Sequence, residues 1–134
     1  MSSSDVELLR GAWAAFARGD VDAAVTALHP QVRWYAHADP DGDGACRNRD
    51  EAAAFLRRAI ADGLTAELLD VHDAGERLVA VIHTHAPPDW EREPGPHGEL
   101  VTIGAGKVTE MVVYPTVDDA LAAAGVDVAQ RPRP

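Results

Sequence analysis

An α+β fold, with helices packed on one face of a curved sheet, is what the sequence predicts. Helical periodicity fills most of the first half, β-branched alternation dominates the second, and 134 residues suit one domain. Hydrophobic side chains make up 46% of the chain, enough to fill a core. In this reading the whole of 1–134 is one domain, with its core at about 5–125 and a tail at 126–134.

The elements follow in order. Over residues 5–18, Val6, Leu9, Trp13, Phe16 and Ala17 recur at three- and four-residue steps, while Glu7, Arg10 and Arg18 fall mostly elsewhere on the wheel, so a first amphipathic helix is expected. Gly19 ends it. Asp20 then caps a shorter helix with a buried stripe of Val21, Ala24, Val25 and Leu28, and Pro30 stops that helix. Residues 32–37 read as a strand with Val32, Trp34 and Ala36 on one face and Arg33, Tyr35 and His37 on the other. Asp, Gly and Pro crowd residues 39–48, which marks a loop. A third helix over 50–61, capped by Asp50, is buried through Ala52, Phe55, Leu56, Ala59 and Ile60. Strands are expected at 66–72 and 78–86, and at 100–103 running past a glycine turn into 107–114, as one strand or two. The stretch 87–98, rich in proline and carrying Trp90, reads as a long exposed connection whose indole covers a pocket mouth or a dimer edge. Thr116 and Asp119 have the spacing of a capping start and Gly125 suits a helix end, so a short terminal helix closes the domain.

With 22 acidic against 12 basic side chains the net charge is −10, and the isoelectric point is near 4.8. Such a surface repels phosphate backbones, so no nucleic-acid partner is expected. No window approaches the length of apolar sequence a membrane span needs, and the start of the chain lacks a basic stretch followed by an apolar run. Cys46 is the single cysteine, which forbids an internal disulfide. A cytoplasmic protein with no membrane partner is the expectation.

Four short segments carry a resemblance. Gly19-Asp20 follows the first helix, His29-Pro30-Gln31-Val32-Arg33-Trp34 leads into the first strand, Cys46-Arg47-Asn48-Arg49-Asp50-Glu51 opens the third helix, and Gly104-Ala105-Gly106-Lys107-Val108 precedes the last strand. In this order and spacing they resemble the nuclear-transport-factor-2-like superfamily, and within it the SnoaL-like, ketosteroid-isomerase-like branch, over about residues 6–125. The resemblance implies a cone: a bent antiparallel sheet wrapped around three N-terminal helices, with an apolar pocket open at one end. It also implies a small apolar or polycyclic ligand and, for an enzyme, cofactor-free acid/base work such as isomerisation, cyclisation, dehydration or epoxide hydrolysis. A non-catalytic ligand-binding or dimeric interaction module is the rival class. The isomerase apparatus itself is not matched. Its first-helix Tyr falls near Ala12, Trp34 to His37 stand where a carboxylate base would be, and the oxyanion acid falls near Gly98, with His97 and Glu99 beside it.

The residues themselves suggest further chemistry. Candidate strands are apolar on both faces, Val79 and Val81 alternating with Leu78, Ala80 and Ile82, which predicts helices on one face and a second subunit of a homodimer on the other. His83 and His85 share a strand face; if that face looks inward, one serves as general acid/base with Asp39 or Tyr114, and otherwise both are structural. The same pair suits a metal, but no third ligand is evident in the sequence, so no metal site is assigned. Asp39, Asp41, Asp43, Gly44 and Asp50 have the spacing of a calcium loop, against which stand an entering strand, Arg47 and Arg49 within it, and the turn-forming habit of Asp and Gly. Trp13, Phe16, Trp34, Tyr35, Leu56 and Met111 are the expected pocket lining. Cys46 is a nucleophile only if a base activates it, its neighbour Arg47 lowering its pKa; otherwise it is a small buried apolar residue.

Overall fold

The computed structural model describes residues 3–42, 44–85 and 96–126. Helices α1 (Ser3–Ala17), α2 (Val21–Val25) and α3 (Arg49–Ala61) pack against a five-stranded sheet of β1 (Leu28–Ala36), β2 (Thr65–Asp73), β3 (Arg77–His85), β4 (His97–Gly104) and β5 (Lys107–Tyr114), and α4 (Val117–Ala123) closes the chain. The sheet is curved and unclosed, in the order β1-β5-β4-β3-β2. Among the described residues no helix is long and apolar enough to cross a membrane.

Local chemistry explains most element ends. Gly19 at φ +79° turns the chain out of α1, and Asp20 accepts the Ala23 N–H at 3.1 Å to start α2. Ala105 and Gly106, both at positive φ, join β4 to β5 as a two-residue hairpin, so the last strand region is two strands. Thr116 caps α4 by accepting the Asp119 N–H at 3.0 Å.

Four expectations need correction. The sheet is not wholly antiparallel: β1 runs parallel to β5, because a helix and three further strands intervene before the chain returns beside β1. Leu28 belongs to β1, not to the stripe of α2, and Pro30 lies within that strand, α2 having ended at Val25. An edge strand tolerates a residue without an N–H, and the β1–β5 register breaks between Leu28 and Arg33, around Pro30. The α3 cap is Asn48, which accepts the Glu51 N–H at 2.9 Å while the Glu51 carboxylate accepts the Arg47 N–H at 2.8 Å; Asp50 lies inside the first turn. And β4 begins at His97, three residues before the predicted start.

The concave face of the sheet and the three first helices enclose the main core, which includes Leu9, Phe16, Val32, Ala52, Leu56, Leu78, Ile82, Val101, Val108 and Met111. The outer face carries a second core, in which Val79, Leu100, Val112 and Tyr114 pack against Ala120 and Leu121 of α4. That helix sits close. A Cβ on Gly98 would lie 2.6 Å from the Ala120 Cβ, so only glycine fits there. Val79, Leu100, Val112 and Tyr114 on the outer face are therefore covered within the chain by α4.

Candidate functional site

Strand periodicity and one loop build the site. On β1, Trp34 points into the concave side, where its indole meets Phe55 of α3 edge to face with ring centroids 5.3 Å apart. On α1, Trp13 and Phe16 make a similar pair at 6.0 Å. After β1 the chain turns back through 37–48, Gly42 N–H donating to the Asp39 carbonyl at 3.1 Å and Ala45 N–H to the Gly42 carbonyl at 3.0 Å. It then pairs Cys46 with Trp34, each N–H donating to the other's carbonyl. This docking of the loop on the free edge of β1 makes it a cavity wall.

The cavity measures about 360 Å³. Trp13, Phe16, Trp34, Phe55, Leu56, Ala59, Ala66, Ile82 and Val113 give it a mainly apolar lining, and Asp39, Gly42, Gly44 and Ala45 of the loop border it. That volume suits a small organic molecule.

Two polar residues of the lining stand together on β4. His97 and Glu99, two residues apart, both line the cavity. Glu99 is only 1% exposed, the single charged residue in the core among the described residues. Its Oε1 accepts the Trp34 indole N–H at 2.9 Å, and its Oε2 lies 3.4 Å from His97 Nε2. A carboxylate out of water is tolerated only when such partners compensate it. The arrangement can pass a proton between imidazole, carboxylate and a molecule held against them, with the indole fixing one oxygen.

The predicted site residues divide between the two faces. Trp13, Phe16, Trp34, Tyr35 and Leu56 border the cavity, and Asp39 reaches it from an exposed position. Met111 lines instead a separate hollow of about 30 Å³ with Leu9, Ala24, Leu28 and Val108. The constellation of His83, His85, Asp39 and Tyr114 is not assembled. His83 and His85 face outward because Ile82 and Thr84 take the inward phase of β3. Tyr114 is buried under α4, its ring stacked on His37 at 4.7 Å.

Tyr35 borders the cavity while its hydroxyl donates to Glu110 Oε2 at 3.2 Å. Burial above all, then the charge and hydrogen bond of Glu110, push that hydroxyl above its ordinary pKa, with the Arg33 guanidinium 5.3 Å over the ring opposing them. Cys46 is buried, and desolvation pushes its thiol up, with Glu51 adding and Arg58 opposing; Arg47 does not activate it as expected. In the calcium-like spacing, Asp43 lies outside the described residues, and the remaining carboxylates do not converge on one point. Trp90, expected over the pocket mouth, also lies outside them.

Reading by sequence missed Glu99 by one position. A usable signal existed: His97, Glu99, Val101 and Ile103 alternate in one phase, and the last two are core-facing. Only the late predicted start of β4 hid it.

Comparison with known proteins settles the family. A model of the SnoaL-like domain matches residues 9–111. The chain belongs to the SnoaL-like domain family. An uncharacterized protein of Mycobacterium tuberculosis is 30% identical over 112 residues, covering 81% of this chain and 86% of that one. Among solved structures, Bal32a from a soil-derived mobile gene cassette superposes with a TM-score of 0.71 at 19% identity, over 83% of this chain and 88% of that one. A putative polyketide cyclase from Sinorhizobium meliloti gives 0.66 at 14% identity, over 81% and 94%. This SnoaL-like chain thus shares its fold with proteins of that description, and the cone implied by the sequence is an open one.

Proposed function

We propose that this SnoaL-like chain binds a small, flat, mainly apolar organic molecule in the cavity and carries out acid/base chemistry on it, of the isomerase or cyclase kind. The observation that carries this reading is the buried Glu99 carboxylate beside half-buried His97 in a mainly apolar chamber. Packing alone gives no reason to desolvate a carboxylate there, since a hydrophobic residue of similar volume would stabilise the core as well or better. Glu99 takes a proton from an acidic C–H or hydroxyl of the bound molecule, and His97 orients the carboxylate and returns the proton elsewhere. The neighbouring fold of a putative polyketide cyclase supports the ligand class.

The experiment is a titration of the protein with planar quinones and polycyclic phenols, followed by tryptophan fluorescence, and then NMR of each binder in D2O. Saturable quenching that Trp34→Phe weakens, with carbon-bound protons exchanging for deuterium under wild-type protein, is the expected result. Glu99→Gln then slows exchange by about 10²–10⁴. Binding without exchange for every compound would leave the ligand-binding module as the correct reading. No binding at all would remove both.

A further inference from the structure

On the opposite side of the sheet lies a second cluster that the cavity chemistry does not use. Glu67 of β2 and His83 of β3 are direct cross-strand neighbours, and His85 stands one diagonal away. The two imidazole rings are 4.3 Å apart between centroids, and His85 Nε2 is 3.0 Å from Glu67 Oε1. Each of the three residues offers one ligand atom, and these atoms all lie within 4.8 Å of one another. Among the described residues no other group of three His, Cys, Asp or Glu converges in this way.

We propose that Glu67, His83 and His85 form a binding site for one divalent transition-metal ion of the zinc class. Two imidazoles and one carboxylate are a donor set that such an ion accepts, with bonds of roughly 2.0–2.2 Å. A tetrahedral ion with those bonds holds its ligand atoms roughly 3.3 Å apart. The His85–Glu67 separation already fits this, and the remaining closure is within the reach of side-chain rotation. The ion takes the place of the present His85–Glu67 hydrogen bond and binds the imidazoles in their neutral form, so binding releases any proton they carry. Three protein ligands on a partly exposed face leave a fourth position for water.

The consequence is mechanical. Among the described residues β2 is an edge strand, hydrogen-bonded within the sheet only to β3. A metal bridging Glu67 to His83 and His85 fastens that edge at the very register where Ala66 and Thr84, pointing the other way, line the cavity. The site is thus independent of the cavity chemistry and stiffens the wall that holds it.

The test uses the full chain, made without a histidine tag and stripped with chelator, then titrated with zinc chloride by calorimetry and by thermal unfolding. One ion per chain and a rise of a few degrees in Tm are expected, because a ligand bound only by the native state stabilises it. His83→Ala and His85→Ala each weaken binding at least tenfold, roughly the lower bound for disturbing a metal site, and Glu67→Gln weakens it too. Circular dichroism of the metal-free variants, unchanged at these outer-face positions, shows that the fold is retained. No heat and no Tm shift overturns the proposal. So does binding that survives the double His83→Ala/His85→Ala variant, which would place the ion elsewhere, for instance on His72 and Asp70, whose Nε2 and Oδ2 are 3.7 Å apart.

Discussion

His97-Gly98-Glu99 and His83-Thr84-His85 lie on adjacent antiparallel strands with the same two-residue spacing, yet the first pair faces into the cavity, with Glu99 buried and His97 half-buried, and the second faces outward. The spacing guarantees a shared face in both; which face is set by phase. On β4 the pair continues the inward series of Val101 and Ile103. On β3 the inward series is Leu78, Ala80 and Ile82, which leaves Thr84 inside and the histidines outside. Similar side chains thus acquire opposite physics. Inside, the Glu99 carboxylate has lost water and depends on the Trp34 indole and His97; outside, water replaces any partner that is removed.

Unfolding experiments sharpen that contrast. Trp34→Ala is expected to show the largest effect, about 3 kcal/mol or more in urea, because it deletes the packing on Phe55 and strips Glu99 of its indole donor. A loss under about 1 kcal/mol would mean that the inner cluster is solvated and the contrast between faces is false.

Next comes Gly98→Ala, expected to cost about 1–3 kcal/mol, since the new methyl must displace α4 at Ala120. Pairing it with Ala120→Gly recovers part of the loss, since the Val117 Cα and the Thr116 carbonyl oxygen stay 3.1 and 3.2 Å from the new methyl, and a double-mutant cycle measures the coupling. Additive costs would show that α4 does not press on β4 at this point.

A smaller effect is expected on the alkaline side. The Cys46 thiol and Tyr35 hydroxyl both have folded-state pKa values raised above their ordinary 9.0 and 10.0. Each therefore contributes stability that is whole below its unfolded pKa and is lost as pH rises through the folded one. Urea midpoints should hold from neutrality to about pH 8.5 and fall beyond pH 9, and Cys46→Ala should flatten the first part of that fall. A midpoint that climbs above pH 9 contradicts the sign.

The smallest change is expected at Glu67→Gln in metal-free protein, within about 0.5 kcal/mol, as for exposed ion pairs generally. A cost comparable to that of Trp34→Ala would show that the outer cluster is held as tightly as the inner one.

Much of this molecule was legible along the chain, because helix periodicity, caps and turn residues are local properties. Gly19, Asp20, Thr116 and Gly106 each did what their backbone chemistry dictates. The apolar lining was legible as well, since Trp13, Phe16, Trp34 and Leu56 lie on core-facing phases of their own elements. Tertiary structure decided the rest. On β3, residues 78–82 are apolar on both faces, so alternation there has no polar mark to fix its phase, and His83 and His85 could be turned outward only by α4 and the first helices competing for the two sides of the sheet. The same packing brought Glu67 to them from another strand, and brought Trp34 across from β1 to Glu99, a meeting of residues 65 positions apart. Pairings of that range depend on strand order and register, which no window of neighbouring residues contains.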